Sequence, residues 1–226
     1  LHTRGNFEGF LRAASKQKWL EVHGDTHFTL FYAKYGQDMQ RRFFAHFLKG
    51  EDNGWDKQPK VLLNVRHPGE KFVQRAETEW PLARTQWTKF FFDVSPASSG
   101  KEPRFGALAT EKPAQASSCT YSAFNLGSMG STSAASSQVM GGGIKPGMGI
   151  ALSTPPLDRD IEITGPLAAK LFASSSTTDM DLFLTLQAFS PDGKEVDFEG
   201  TVDPHTPLAQ GWLRASQRKL DHKKSL

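Results

Sequence analysis

His23 and His27, in the run His23-Gly24-Asp25-Thr26-His27, are the side chains of this sequence best suited to moving a proton near neutral pH. Either imidazole could serve as a general base and then a general acid. Their i, i+4 spacing is also that of a metal-binding pair on a helix, but Gly24 argues against a helix there and no third ligand stands at a useful spacing. No metal and no cofactor are expected. The plain alternative is a solvent-facing loop pair with no chemistry. Other chemical candidates reduce to structural roles. His46 lies beside an apolar stripe and reads as a partly buried histidine bonded to backbone. Asp179 and Asp181 bracket Met180 at the mouth of a strand, and since calcium takes about six or more oxygens they read as turn and sheet-edge carboxylates. Gly141-Gly142-Gly143 has no Lys-Ser/Thr pair after it, so it reads as a loop rather than a phosphate cradle.

The elements that must position the two histidines follow from apolar spacing. Phe7, Phe10, Leu11 and Ala14 recur at helical intervals and predict a short amphipathic helix within Thr3 to Ala14. Lys18 to Val22 reads as a brief strand that delivers His23 and His27 to a loop. Tyr35 to Gly50 is the clearest helix: Met39, Phe43 and Phe47, with Phe44 and Leu48 alongside, form a wide stripe that Gly50 terminates. Glu51 to Pro59 is polar and reads as a linker. Val61–Arg66, Lys71–Ala76 and Trp87–Phe92 then read as strands, with Trp80 and Trp87 as core aromatics.

From Val94 to Pro156 the chain is dominated by Ser, Ala, Gly, Pro and Thr, too poor in apolar area to offset ordering entropy, so a loop is expected. Strand patterns return after it. Ile161 and Ile163 alternate with polar residues; Leu167, Ala169, Leu171 and Ala173 share a side; Leu182, Leu184, Leu186 and Ala188 share a face opposite Phe183 and Phe189. Ser190-Pro191-Asp192-Gly193 has the chemistry of a tight turn, with Val196 and Phe198 on the returning strand. Short strands separated by turns argue for an antiparallel sandwich.

Composition narrows the classes. The 226 residues leave room for one domain plus part of another, and 17 Phe with 5 Trp can fill a sizeable core. No apolar run is long enough for a membrane helix. The net charge of +3 is small, and the basic residues gather in the tail from Arg214 to Lys224, a solvated end rather than a nucleic-acid surface. Cys119 is the single cysteine, so no internal disulfide forms and a reducing, cytoplasmic compartment is expected. Leu1 to Gly5 reads like the middle of a domain, so the chain is expected to be a fragment whose partner is either the missing part of its parent or a second copy.

Several motifs in order carry a family resemblance: Ile161-Glu162-Ile163-Thr164-Gly165-Pro166-Leu167, Asp179-Met180-Asp181-Leu182-Phe183, Pro191-Asp192-Gly193, Gly211-Trp212-Leu213-Arg214-Ala215-Ser216 and Arg218-Lys219-Leu220-Asp221. They resemble the C-terminal domain of X-Pro dipeptidyl-peptidases and cocaine-esterase-type serine hydrolases. Leu1 to Phe10, Lys18 to His23 and Arg41 to Glu51 look like the end of the catalytic domain in the same family. The resemblance implies a mixed fold: residues 1–58 end an α/β-hydrolase domain, and residues 59–226 form a mainly-β jelly roll similar to galactose-binding domains, carrying the 94–156 loop. It implies a Ser-His-Asp triad acting on a small acyl ester or peptide substrate. No Gly-x-Ser-x-Gly occurs, so the nucleophile and acid are expected outside this chain, which alone would be inactive. The family pattern, a Lys-Trp-Leu strand followed after two residues by His, favours His23 as the triad base; a Trp-Ser-His-like ending would favour His27. A carbohydrate-binding or other non-catalytic jelly-roll module is the competing class.

Overall fold

A computed structural model describes residues 3–24, 28–96, 104–122, 149–200 and 205–219. The chain divides into two compact units. The first gathers Leu1–Gln86, Ile163–Pro166 and Phe198–Pro204, and the second Trp87–Glu162, Leu167–Asp197 and His205–Leu226.

In the first unit, α1 (Thr3–Arg12) is followed by β1 (Leu20–Val22), α2 (Thr29–Tyr32), α3 (Lys34–Lys49), β2 (Val61–His67) and β3 (Lys71–Glu77). β1 and β2 are parallel and β2 and β3 antiparallel, in the order β1-β2-β3. Parallel neighbours cannot be joined by a tight turn, and here α2 and α3 make the crossover. The register Leu20↔Val61 and Val22↔Leu63 puts these side chains on one face. There Val61, at 0 % exposure, forms the core with Leu20, Leu63 and Leu82, and Phe7, Phe10, Val65 and Trp80 close around it. Burying such a side chain contributes about 1.5–3 kcal/mol. Trp19, one residue before β1, turns to the other side, where its ring lies 5.9 Å from Phe47 and 5.7 Å from Trp55. The small sheet is therefore covered by α1 on one face and α3 on the other, a helix–sheet–helix arrangement built on a β-α-β crossover.

The expected helices and first strands are all present. Gly50 ends α3 in the left-handed region at φ 73°, and the Glu51 N–H donates to the Ala45 carbonyl at 3.1 Å, closing the last turn. The apolar stripe of α3 is only half used: Met39 and Phe43 are partly covered, whereas Phe44 and Leu48 are exposed. The stretch 51–59 behaves differently from the linker its composition suggests. Trp55 is buried against Phe43, and the Asn53 amide donates to the Arg42 carbonyl at 2.8 Å, folding this turn back onto α3. One large aromatic outweighs its polar neighbours. β1 and β2, which lie on either side of residue 58, pair within one sheet.

The second unit is strand-dominated. β4 (Phe91–Asp93), β5 (Arg104–Ala109) and β6 (Ile150–Ser153) form one three-stranded sheet, antiparallel between β4 and β5 and parallel between β5 and β6. β7 (Asp181–Leu186) and β8 (Ala209–Arg214) pair antiparallel. β5 and β6 lie in the stretch read as a loop, and Trp87–Phe92 contributes only its last residues to β4. Backbone pairing needs no apolar excess, and a Cβ on Gly106 would come within 2.5 Å of both the Asp93 carbonyl oxygen and the Leu152 side chain. Small residues here permit close strand approach. The turn at Ser190–Gly193 forms as expected, with Gly193 at φ 81° and the Ser190 N–H donating to the Lys194 carbonyl at 2.8 Å. Its return is an isolated bridge, Phe189↔Glu195, rather than a full strand. The runs 160–164 and 167–173 are not strands. Alternation marks a face without supplying a ladder partner, and Ile161, Ile163, Leu167 and Phe172 are all largely exposed. No helix among the described residues is long and apolar enough to cross a membrane.

Candidate functional site

His23 leaves β1 at the carboxyl end of the parallel strand pair, the edge where open α/β sheets place their ligands. Its ring is exposed. Nδ1 lies 3.1 Å from the Gly24 carbonyl oxygen. A carbonyl can only accept, so this bond keeps the hydrogen on Nδ1 and leaves the Nε2 lone pair available for a proton. That is the tautomer a general base requires. Gly24 in turn lies under the Phe72 ring of β3: a Cβ at this position would sit 2.7 Å from Phe72 Cε1. The loop can run this close to the hairpin only because residue 24 has no side chain.

Glu21, two residues before His23, anchors the strand to α3. Its carboxylate accepts from the Tyr35 hydroxyl at 2.7 Å. The Tyr35 ring is 46 % exposed, yet its hydroxyl end is drawn among Glu21, Gln74 and Arg42. Loss of solvent at that end, and then the Glu21 carboxylate, push the phenol up to about 12. It therefore remains a neutral donor at physiological pH. Sequence reading misses this pair because the two residues are brought together only by the crossover.

His27 and Asp25 lie outside the described residues, as do Gly141–Gly143. His46 has the structural role expected of it: Nδ1–H donates to the Glu51 carbonyl at 3.1 Å beside the end of α3. Asp179 is saturated by protein donors. Its Oδ1 accepts from the Met180 N–H at 2.9 Å and the Ser216 N–H at 3.0 Å, and its Oδ2 from the Ser216 hydroxyl at 2.6 Å. Asp181 takes a two-pronged bond from Arg214, at 2.8 and 2.9 Å, across the β7–β8 register. Both carboxyls are held below the ordinary carboxylate range, Asp179 chiefly by the Ser216 hydroxyl and Asp181 chiefly by Arg214. They hold the end of β8 to the start of β7, as sheet-edge groups do. Among the described residues no group of three or more His, Cys, Asp and Glu is placed to hold a metal ion.

Comparison with known proteins adds to this geometry. The profile of the X-Pro dipeptidyl-peptidase C-terminal non-catalytic domain matches residues 53–225. The chain is 31 % identical over 166 residues to the cocaine esterase of Rhodococcus sp. (strain MB1 Bresler), an alignment that takes in 70 % of this chain and 28 % of that protein. Two crystal structures of a CocE/NonD family hydrolase from Staphylococcus aureus superpose on 100 % of the chain, with TM-scores of 0.70 and 0.69 at 27 % and 25 % identity. In each case 36 % of the solved chain is covered. The chain thus spans about a third of the length of these relatives.

Proposed function

Because the chain belongs to the X-Pro dipeptidyl-peptidase C-terminal non-catalytic domain family, we propose that it is the C-terminal part of a serine hydrolase of the X-Pro dipeptidyl-peptidase and cocaine-esterase type. The first unit supplies the last crossover of the α/β-hydrolase domain together with the triad histidine. The strands of the second unit belong to the jelly-roll appendage. The observation that carries this reading is the position of His23: it is exposed and it stands at the carboxyl end of a parallel strand.

In this reading Nε2 of His23 takes the proton of a serine hydroxyl supplied from outside this chain as that oxygen attacks the acyl carbon. The imidazolium then gives the proton to the departing amine or alcohol, and the acyl-serine is released by water in a second pass of the same steps. The substrate is a small acyl ester or an Xaa-Pro peptide. The chain alone holds a base without its nucleophile and is inactive.

The test is made in the full-length hydrolase with p-nitrophenyl acetate and an Xaa-Pro anilide. His23→Gln lowers kcat by roughly a thousandfold or more with little change in KM, while His27→Gln leaves activity near normal. The reverse pattern assigns the base to His27, and full activity in both variants removes the reading.

One observation favours the non-catalytic alternative for the second unit. Phe183 and Trp212 sit opposite each other in the β7–β8 register and are 59 % and 68 % exposed, two large aromatics of the kind on which a sugar ring stacks. Micromolar glycan binding by the chain, lost in Trp212→Ala, would support it.

A further inference from the structure

Across the β2–β3 hairpin, Arg66 pairs with Phe72. The guanidinium carbon of Arg66 lies 5.4 Å from the Phe72 ring centroid and 4.5 Å from that of Phe198, which is buried. A planar, weakly hydrated cation is suited to contact two rings at once, as an ammonium is not. Arg66 Nη2 also donates to the Glu199 carbonyl at 3.1 Å. The Glu199 N–H donates to Oε1 of Glu70 at 2.5 Å. Glu70 sits in the turn of the same hairpin at φ 56°, a left-handed conformation a glutamate adopts only where its surroundings hold it. Both backbone groups of Glu199 are thus held by two side chains of one hairpin, from a residue more than a hundred positions away in sequence. On its other flank the column ends on Gly24, beside His23, through the close approach of the Phe72 ring.

We propose that Arg66, with Phe72, Glu70 and Phe198, is a positioning device for His23: the captured Phe198–Glu199 segment fixes Arg66, Arg66 fixes the Phe72 ring, and that ring sets the path of the His23–Gly24 backbone. The inference rests on the reading of His23 as the base, but its physical content, that the column controls the geometry of residue 23, is measured without catalysis. Arg66 makes no contact with reacting atoms and acts only through the ring. Truncating it removes two ring contacts and one backbone acceptor's partner together, so Phe72 gains rotamer freedom and the loop loses the wall it packs against.

The experiment compares the 226-residue chain with Arg66→Ala, Arg66→Lys and Leu48→Ser, the last on the exposed side of α3. Backbone hydrogen exchange is followed by mass spectrometry, and the His23 ring resonances, assigned by their loss in His23→Gln, by NMR. Arg66→Ala raises exchange at Glu199 by roughly fivefold or more and displaces the His23 ring resonances. Arg66→Lys, which keeps the charge but not the flat face, gives the same changes in smaller measure, and Leu48→Ser gives neither. The proposal is overturned if Arg66→Ala frees Glu199 while the His23 resonances stay at their wild-type values. Should Arg66→Ala fail to fold, Glu70→Ala, which removes only the acceptor for the Glu199 N–H, is judged by the same two readouts. Wild-type activity of His23→Gln in the full-length hydrolase would remove the catalytic reading and leave the exchange result standing, so the two failures are distinguishable.

Discussion

Gly36→Ala is expected to destabilise the first unit although it places the best helix former in the first turn of a helix. In an unconstrained helix interior that exchange gains up to about 1 kcal/mol. Gly36 has no positive φ to forbid a side chain. The obstacle is contact: a Cβ there would lie 1.9 Å from the Leu30 carbonyl oxygen and 3.1 Å from that of Phe31. Reaching ordinary contact at 3.4 Å from the starting 1.9 Å requires α2 and α3 to part by about 1.5 Å. Both partners are backbone and cannot rotate away. That parting breaks the bonds that Gln37 donates to the Tyr32 carbonyl at 2.6 Å and Gln40 to the Phe31 carbonyl at 3.2 Å. Two bonds at about 1 kcal/mol each and about 1–2 kcal/mol of residual strain, set against the propensity gain, leave a net loss of about 2–3 kcal/mol. The melting midpoint of the first unit, followed by calorimetry, should fall by roughly 10 °C. Gly9→Ala is the control, since a Cβ on Gly9 in α1 meets nothing within 4 Å and only the propensity gain remains. A Gly36→Ala chain melting at or above wild type would refute the close approach of α2 to α3, and with it the path from the His23 loop into the crossover.

Three further outcomes follow from the packing and the shifted groups. Val61→Ala, at the fully buried centre of the first sheet, should cost about 2 kcal/mol in denaturant unfolding, whereas Leu48→Ala, 78 % exposed, should stay within about 0.5 kcal/mol of wild type. Asp179 and Asp181 titrate below the ordinary carboxylate range, so their contribution is present above about pH 4 and is lost as pH falls through their lower folded values; Asp179→Asn should flatten that acid limb in thermal melts. The Tyr35 phenol, raised to about 12, favours the folded state fully below about pH 10, the ordinary tyrosine value, and progressively less between there and about 12. Ultraviolet titration should show one tyrosine ionising late, and Tyr35→Phe should remove both that step and the associated loss of stability.

The sequence by itself determined the local elements and the family. Three-to-four spacing of Phe7, Phe10 and the α3 aromatics, and Gly50 placed for a left-handed cap, are short-range signals, and the helices they predict are present within a residue or two. The Pro-Asp-Gly turn and the Leu182–Leu186 strand are legible for the same reason. Tertiary structure decided whatever depends on a partner distant in the chain. It seated Trp55 in the core from a stretch that reads as polar, and it paired β5 with β6 inside a segment too small-residued to look like strand. It left the alternating run at Ile161 without a ladder. It also joined Tyr35 to Glu21 and Arg66 to Glu199. His23 shows both halves: its place after a short strand was readable, but which neighbours confine it was not. A residue's own type and its neighbours within one turn set its local conformation, whereas burial, ladder pairing and side-chain capture are properties of two segments at once, and only the folded chain brings the second segment into reach.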